Sequence, residues 1–297
     1  MNTMTKLICA VLTVFLVNCT ASLPKDVPSG PKTYKNKVDI RIMGNRRSYL
    51  VHVPPVHETL YPLSLVVAIH GAFETAKDME KRSGFSDLAD KEGFVVVYPN
   101  GFGLFGLLQH WNAGHCCGKA AADGIDDVGF LTAVIEDVKG RLPIDPNRIY
   151  MVGFSNGGML AYRFAAEKTI TLSALAAVAA TIGSTSSGDE PLWRMPNPAA
   201  PLPLIALHGL ADEAIPAQGG VSPKRGGDQS FLSVKGSTDF WIRNNGCDPD
   251  RVGDRRHSKP PVSSQIPERQ VSWLPDQSLP FAFPTGQLSR IRSVSGV

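Results

Sequence analysis

Five residues, Gly153-Phe154-Ser155-Asn156-Gly157, place a hydroxyl nucleophile between two glycines. The apolar run Arg148-Ile149-Tyr150-Met151-Val152 leads into them, and Gly158-Met159-Leu160-Ala161-Tyr162-Arg163-Phe164-Ala165 follows. That order is strand, tight turn, helix. Glycines flank such a reversal because a β-carbon would clash there, and the turn lifts the Ser155 hydroxyl to the carboxyl edge of a sheet. The pattern is a nucleophile elbow, and its chemistry is covalent attack on a carbonyl carbon.

A serine needs an acid, a base and an oxyanion hole. In α/β-hydrolases the order along the chain is serine, acid, histidine, with the acid on the turn after a later strand. Leu202-Pro203-Leu204-Ile205-Ala206-Leu207 reads as that strand, and His208-Gly209-Leu210-Ala211-Asp212-Glu213 follows it. Asp212 is the expected acid, with Glu213 as the fallback. His208 precedes the acid and reads as a structural histidine that ties down the Asp212 loop. One oxyanion amide is expected from Asn156, directly after the nucleophile. The other is expected after the buried strand Leu63-Ser64-Leu65-Val66-Val67-Ala68-Ile69, in His70-Gly71-Ala72-Phe73, from the amide of Ala72 or Phe73.

Residues Val66 to Asn112, the loop Trp111-Asn112-Ala113-Gly114-His115-Cys116-Cys117-Gly118, Asp126-Asp127-Val128-Gly129-Phe130-Leu131 and the elbow resemble the polyhydroxybutyrate depolymerase and feruloyl esterase family, including its mycobacterial lipoprotein esterase branch. The resemblance runs from about Tyr34 to Cys247. It implies an exported serine esterase acting on polyesters or on feruloyl- or acetyl-type esters, with Ser155 as nucleophile and Asp212 as acid. It also implies that the Trp111 loop lines the acyl site, with Trp111 and Phe73 touching substrate. A serine peptidase on the same fold is the lesser reading, because the Trp-Asn-Ala-Gly-x-Cys-Cys-Gly loop points to esters.

The same family places its histidine in a Gly-rich His-x-Trp-Pro stretch after the Asn-Gly-Cys segment. Asn245-Gly246-Cys247 is present here, and no such stretch follows it. His257 is the one histidine after Asp212, in the basic, proline-flanked Arg255-Arg256-His257-Ser258-Lys259-Pro260-Pro261, and is the candidate base. From about Asp248 apolar periodicity gives way to Pro260, Pro261, Pro267, Pro275, Pro280 and Pro284 among serines and arginines, so residues 248–297 are expected to form a disordered tail. An altered reading frame would give such a junction. The competing reading is therefore a hydrolase-fold protein that is impaired or inactive for want of its histidine.

The elements that must position these residues follow from alternation. A hairpin, Lys37 to Ile42 and Ser48 to Val53, opens the fold, and strands recur near Leu65, Phe94, Ile149, Leu175 and Leu204. Helices are expected at Asp126 to Gly140, with Phe130, Val134, Ile135 and Val138 as an apolar stripe, and at Asn156 to Glu167. Asp126 and Asp127 are read as capping carboxylates. Strands alternating with helices make an α/β fold with a mostly parallel central sheet, helices on its faces and the site at its carboxyl edge.

Composition agrees with one such domain over residues 37–247. The chain has 297 residues, 43% of them hydrophobic, which suffices for a full α/β core. A formal charge of +3, concentrated in the tail, does not suggest a nucleic-acid partner. Lys6 followed by Leu7 to Val17 marks residues 1–21 as an export segment, and residues 22–36 as a linker. Two processing routes stay open: lipidation at Cys19, which would attach the protein to a membrane, or cleavage after Ala21. Export permits disulfides, and outside the export segment Cys116, Cys117 and Cys247 make an odd set, so at least one lacks an internal partner. Cys116-Cys117 with His115 does not make a tetrahedral ligand set, so no metal or cofactor is expected.

Overall fold

The structure, a computed structural model, describes residues 32–42, 45–55, 62–103, 106–168, 171–185, 193–224, 229–248 and 291–296. Its strands in chain order are β1 (Lys32–Ile42), β2 (Asn45–Val53), β3 (Leu63–Ile69), β4 (Val95–Pro99), β5 (Ile144–Phe154), β6 (Ala174–Val178), β7 (Gly183–Thr185), β8 (Trp193–Arg194), β9 (Leu204–Gly209), β10 (Gly220–Val221), β11 (Ser230–Phe231) and β12 (Ile291–Gly296). The helices are α1 (Ala76–Ser83), α2 (Phe85–Glu92), α3 (Gly118–Ala122), α4 (Asp127–Arg141), α5 (Asn156–Glu167) and α6 (Val234–Asn244).

Eight strands form the central sheet in the order β1-β2-β4-β3-β5-β6-β9-β12. The five from β4 to β9 run parallel, while β1, β2 and β12 make antiparallel pairings at the two edges. Parallel strands joined by helical crossovers are covered on both faces, which is why β3 reads as an unbroken apolar run. Its alternate residues divide between two cores. Leu65, Val67 and Ile69 pack with Phe130, Leu131, Val134, Met159 and Tyr162 of α4 and α5. Val66 and Ala68 pack with Met79, Phe85 and Ala89 of α1 and α2.

The sequence reading of α4 is met by its buried stripe of Phe130, Val134, Ile135 and Val138. Its two aspartates part company, however. Asp126 is the N-cap, accepting from the Gly129 amide at 2.8 Å. Asp127 is no cap: it is fully buried and pairs with Arg47 of β2 at 2.8 Å.

Three features stand outside the sequence reading, the first being that residues 32–36, read as the end of a linker, belong to β1 and pair with β2. Strands β10, β11, β7 and β8 form a small second sheet, each too short to carry a periodic signal. Residues Ile291–Gly296, placed by the sequence reading in the tail expected to be disordered, form β12 and pair antiparallel with β9, from Ile291 opposite Gly209 to Gly296 opposite Leu204. Cys116 and Cys117 are joined to each other, and among the described residues Cys247 is a free thiol. No described helix is long and apolar enough to cross a membrane. The segment expected to direct export, including Cys19, lies outside the described residues.

Candidate active site

At the carboxyl end of β5 the chain turns through Ser155 into α5. Ser155 has φ 52° and ψ −121°, a left-handed conformation that few residues with a side chain adopt. Its amide donates to Val178 O of β6 at 2.8 Å, which fixes the turn against the neighbouring strand. It is also the N-cap residue of α5, yet its side chain makes no capping bond. Serine at this position ordinarily turns its oxygen onto the helix amides. Here the backbone angle points it elsewhere, so the hydroxyl is left for chemistry.

The glycines of the elbow are dictated by contact. A β-carbon on Gly153 would lie 2.2 Å from Gly157 O, and one on Gly157 would lie 2.2 Å from His70 O and 2.6 Å from Ile69 O. The elbow therefore abuts the end of β3, where the second oxyanion loop begins.

In that loop the two amide candidates separate. The Phe73 amide donates to Gln109 O at 2.8 Å and is committed. That leaves Ala72, half-buried and next to Gly71, as the candidate donor. The other donor, the Asn156 amide, is the first of α5 and has no carbonyl within its own helix to satisfy it. The Asn156 amide lies at the positive end of the α5 dipole, which favours negative charge developing there.

His70 is fully buried behind this loop. The Gly101 amide donates to its Nε2 at 3.0 Å, and its Nδ1 lies 2.7 Å from Gly71 O, which can only accept. The ring is thus the neutral Nδ1–H tautomer, and burial pushes its pKa down to about 4. It is a strut, not a base.

Trp111, which the resemblance places against substrate, has no exposed side-chain surface. The indole Nε1 donates to His70 O at 2.9 Å, and the ring stacks on Phe130 with centroids 6.4 Å apart. Its backbone meets the side chain of Asn156 twice: Trp111 N donates to Oδ1 at 2.8 Å, and Nδ2 donates to Trp111 O at 3.0 Å. The next residue is held in turn, the Asn112 amide donating to Asp127 Oδ2 at 2.7 Å. Phe73, by contrast, is 65% exposed, with its ring edge-on to His110 at 4.6 Å, and can meet a substrate.

The acid turn follows β9, two strands from β5, a span of about 10 Å at the usual strand spacing. Asp212 Oδ1 accepts from the amides of Ala214 and Ile215 at 2.9 and 3.0 Å, which locks the carboxylate in orientation. Its Oδ2 is 3.7 Å from His208 Nε2, beyond hydrogen-bond length. That nitrogen already donates to Ile215 O at 2.8 Å, so His208 ties down the acid turn. Glu213 is exposed and paired with Lys224 at 2.9 Å, which holds its carboxyl below the usual range. Asp212 Oδ2 is the oxygen that a histidine could use.

His257, the candidate base, lies outside the described residues. Ile291 opens β12 opposite Gly209, so the chain carrying His257 rejoins the described fold beside the Asp212 turn. Among the described residues no three His, Cys, Asp or Glu side chains gather as a metal would require.

A sheet of this strand order, with an uncapped serine where β5 turns into α5, is that of an α/β-hydrolase. Residues 47–188 match the family model described as Esterase PHB depolymerase. NocK of Nocardia uniformis subsp. tsuyamanensis, named an esterase by inference, is 28% identical over 81% of this chain and 69% of its own. Feruloyl esterase B of Piromyces equi is 28% identical over 62% of this chain; the match spans only 32% of that enzyme. Feruloyl esterase C of Emericella nidulans is 23% identical over 70% of this chain and 66% of its own. Among solved structures, native sOPH superposes with a TM-score of 0.52 at 19% identity, covering 75% of this chain and 78% of that one, a likeness of fold. The family supports ester hydrolysis as the reaction class.

Proposed function

We propose that the protein is an exported serine esterase that hydrolyses carboxylic esters, of polyester or of feruloyl or acetyl type, through an acyl-enzyme on Ser155. The hydroxyl attacks the ester carbonyl as a histidine, His257, takes its proton, and Asp212 Oδ2 orients that imidazole and stabilises its charge. The amides of Asn156 and Ala72 hold the oxyanion, Phe73 faces the acyl or alcohol group, and water then releases the acid. The export segment would deliver the enzyme outside the cell, free or held by a lipid on Cys19. The names of the curated relatives favour a feruloyl- or acetyl-type substrate over a peptide.

The observation that carries this reading is the Ser155 turn, strained to φ 52° with its hydroxyl withheld from the helix it caps. Ser155→Ala should abolish both p-nitrophenyl butyrate turnover and labelling by a fluorophosphonate probe; persistent labelling refutes the assignment. The impaired-enzyme reading is favoured by one fact, that His208 is spent on Ile215 and no other described histidine is bonded to Asp212. Turnover of p-nitrophenyl butyrate by the unaltered protein decides between them, and His257→Ala then tests the base. Loss of turnover by about 10⁴-fold assigns the base, and unchanged turnover removes His257 from the mechanism.

A further inference from the structure

The two oxyanion amides belong to different loops, one after β3 and one at the start of α5. Nothing in the covalent chain fixes their separation, because more than eighty residues of sequence lie between Ala72 and Asn156. Yet an oxyanion hole works only if both amides point at one atom, and an error of about 1 Å in such a site costs on the order of 10²-fold in rate. Some contact must hold them in register.

We propose that the Asn156 side chain is a positioning residue, and that with Trp111 it forms a brace setting the distance between the two amides. The proposal rests on the reading of Ser155 as nucleophile. One arm is the pair of hydrogen bonds between the Asn156 amide group and the Trp111 backbone, 2.8 and 3.0 Å, fully buried. An amide side chain is suited to this, since it donates and accepts in one plane, as a peptide does. The other arm is the indole Nε1 on His70 O at 2.9 Å, two residues before Ala72. Residue 111 therefore touches the elbow with its backbone and the His-Gly loop with its side chain.

The brace is itself anchored. Asn112 is pinned by Asp127 at 2.7 Å on its amide and by Arg163 at 3.0 Å on its carbonyl. The carbonyl of Trp111 also accepts from the Cys117 amide at 3.1 Å, which closes the loop on itself. His70 cannot yield either, because its neutral ring is bonded at both nitrogens. A second tie joins the same two loops: Glu74 accepts from the Gly71 amide at 3.0 Å and pairs with Arg82, whose guanidinium lies 4.7 Å over the ring of Phe154.

Asn156→Ala removes the first arm and Trp111→Phe removes the second while keeping the ring and the backbone bonds. Each should lower kcat for p-nitrophenyl butyrate, and the rate of Ser155 phosphonylation by a fluorophosphonate, by about 10- to 100-fold. KM should stay within about twofold, because ground-state binding does not use the oxyanion amides fully. The double variant should lose less than the product of the two single losses, since both act on one distance. A lower melting temperature with unchanged kcat in Asn156→Ala makes the side chain structural only and overturns the proposal. If Asn156→Ala does not fold, Trp111→Phe decides on the same kinetic criterion. Turnover that survives Ser155→Ala, or a wild-type protein that the probe does not label, fails the nucleophile reading itself and takes the brace with it.

Discussion

Gly157→Ala offers a quantitative test of the elbow. The added β-carbon would sit 2.2 Å from His70 O and 2.6 Å from Ile69 O, both backbone atoms at the end of a buried strand. Ordinary carbon–oxygen contact begins near about 3.3 Å, so α5 must move about 1 Å away from β3. Overpacking of this kind costs about 1–3 kcal/mol, which for a domain of this size lowers Tm by roughly 2–12 °C. The catalytic cost is larger in proportion, because α5 carries both Ser155 and the Asn156 amide, and a displacement of about 1 Å costs about 10²-fold. The control is Gly140→Ala in α4, where a β-carbon meets nothing within 4 Å. That substitution should leave turnover unchanged and raise stability by about 0.5–1 kcal/mol, as an alanine in a helix does. Steady-state hydrolysis of p-nitrophenyl butyrate, the rate of fluorophosphonate labelling and thermal unfolding read all three quantities. Gly157→Ala with turnover within threefold of wild type and an unmoved Tm would refute the packing of the elbow on β3.

Further outcomes follow from buried charge and buried histidine. Arg47→Leu strands Asp127, which is fully buried and carries the Asn112 amide, and should destabilise by about 3–5 kcal/mol in urea unfolding; adding Asp127→Leu should recover part of that loss. His70 titrates at about 4 in the fold and near about 6.5 when unfolded, so the unfolded state takes up the proton first. Its contribution is complete above about pH 6.5 and is lost as pH falls toward 4, by about 3 kcal/mol, an effect that His70→Gln should flatten in denaturation curves between those values. The ring should also show no titration by NMR between pH 5.5 and 8 (roughly), so that any activity limb in that range belongs to another group.

The elbow was legible in sequence although two of its contacts, with Val178 O and with the end of β3, are long-range. Strand, turn and helix follow one another, and Gly153 and Gly157 announce the close approach. The turn carrying Asp212 was legible for a related reason: its staple onto Ala214 and Ile215 is short-range and follows a clear apolar strand. What could not be read depends on partners far along the chain. Asp127 resembles its neighbour Asp126 as a helix-start carboxylate, and only Arg47, eighty residues earlier, reveals the difference. Trp111 sits in a motif loop, which suggested contact with substrate, but burial between His70 and Phe130 is a property of the assembled fold. The choice of Ala72 over Phe73 likewise turns on Gln109 O, which approaches from another loop. Strand β12 follows a proline- and serine-rich stretch that reads as a tail, and its pairing with β9 is a long-range contact.

The conformation of Ser155 also bears on how the protein could drift. A non-glycine residue at φ 52° carries a strain of about 1–3 kcal/mol, and the start of α5 forgoes the roughly 1 kcal/mol that a bonded cap supplies. Glycine at this position would relieve the first cost at once. For a lineage released from catalysis, substitution of Ser155 is thus a downhill step in stability, whereas for a working enzyme it is lethal to function. With Ser155 as the proposed nucleophile, this turn is a position where stability is given up for activity.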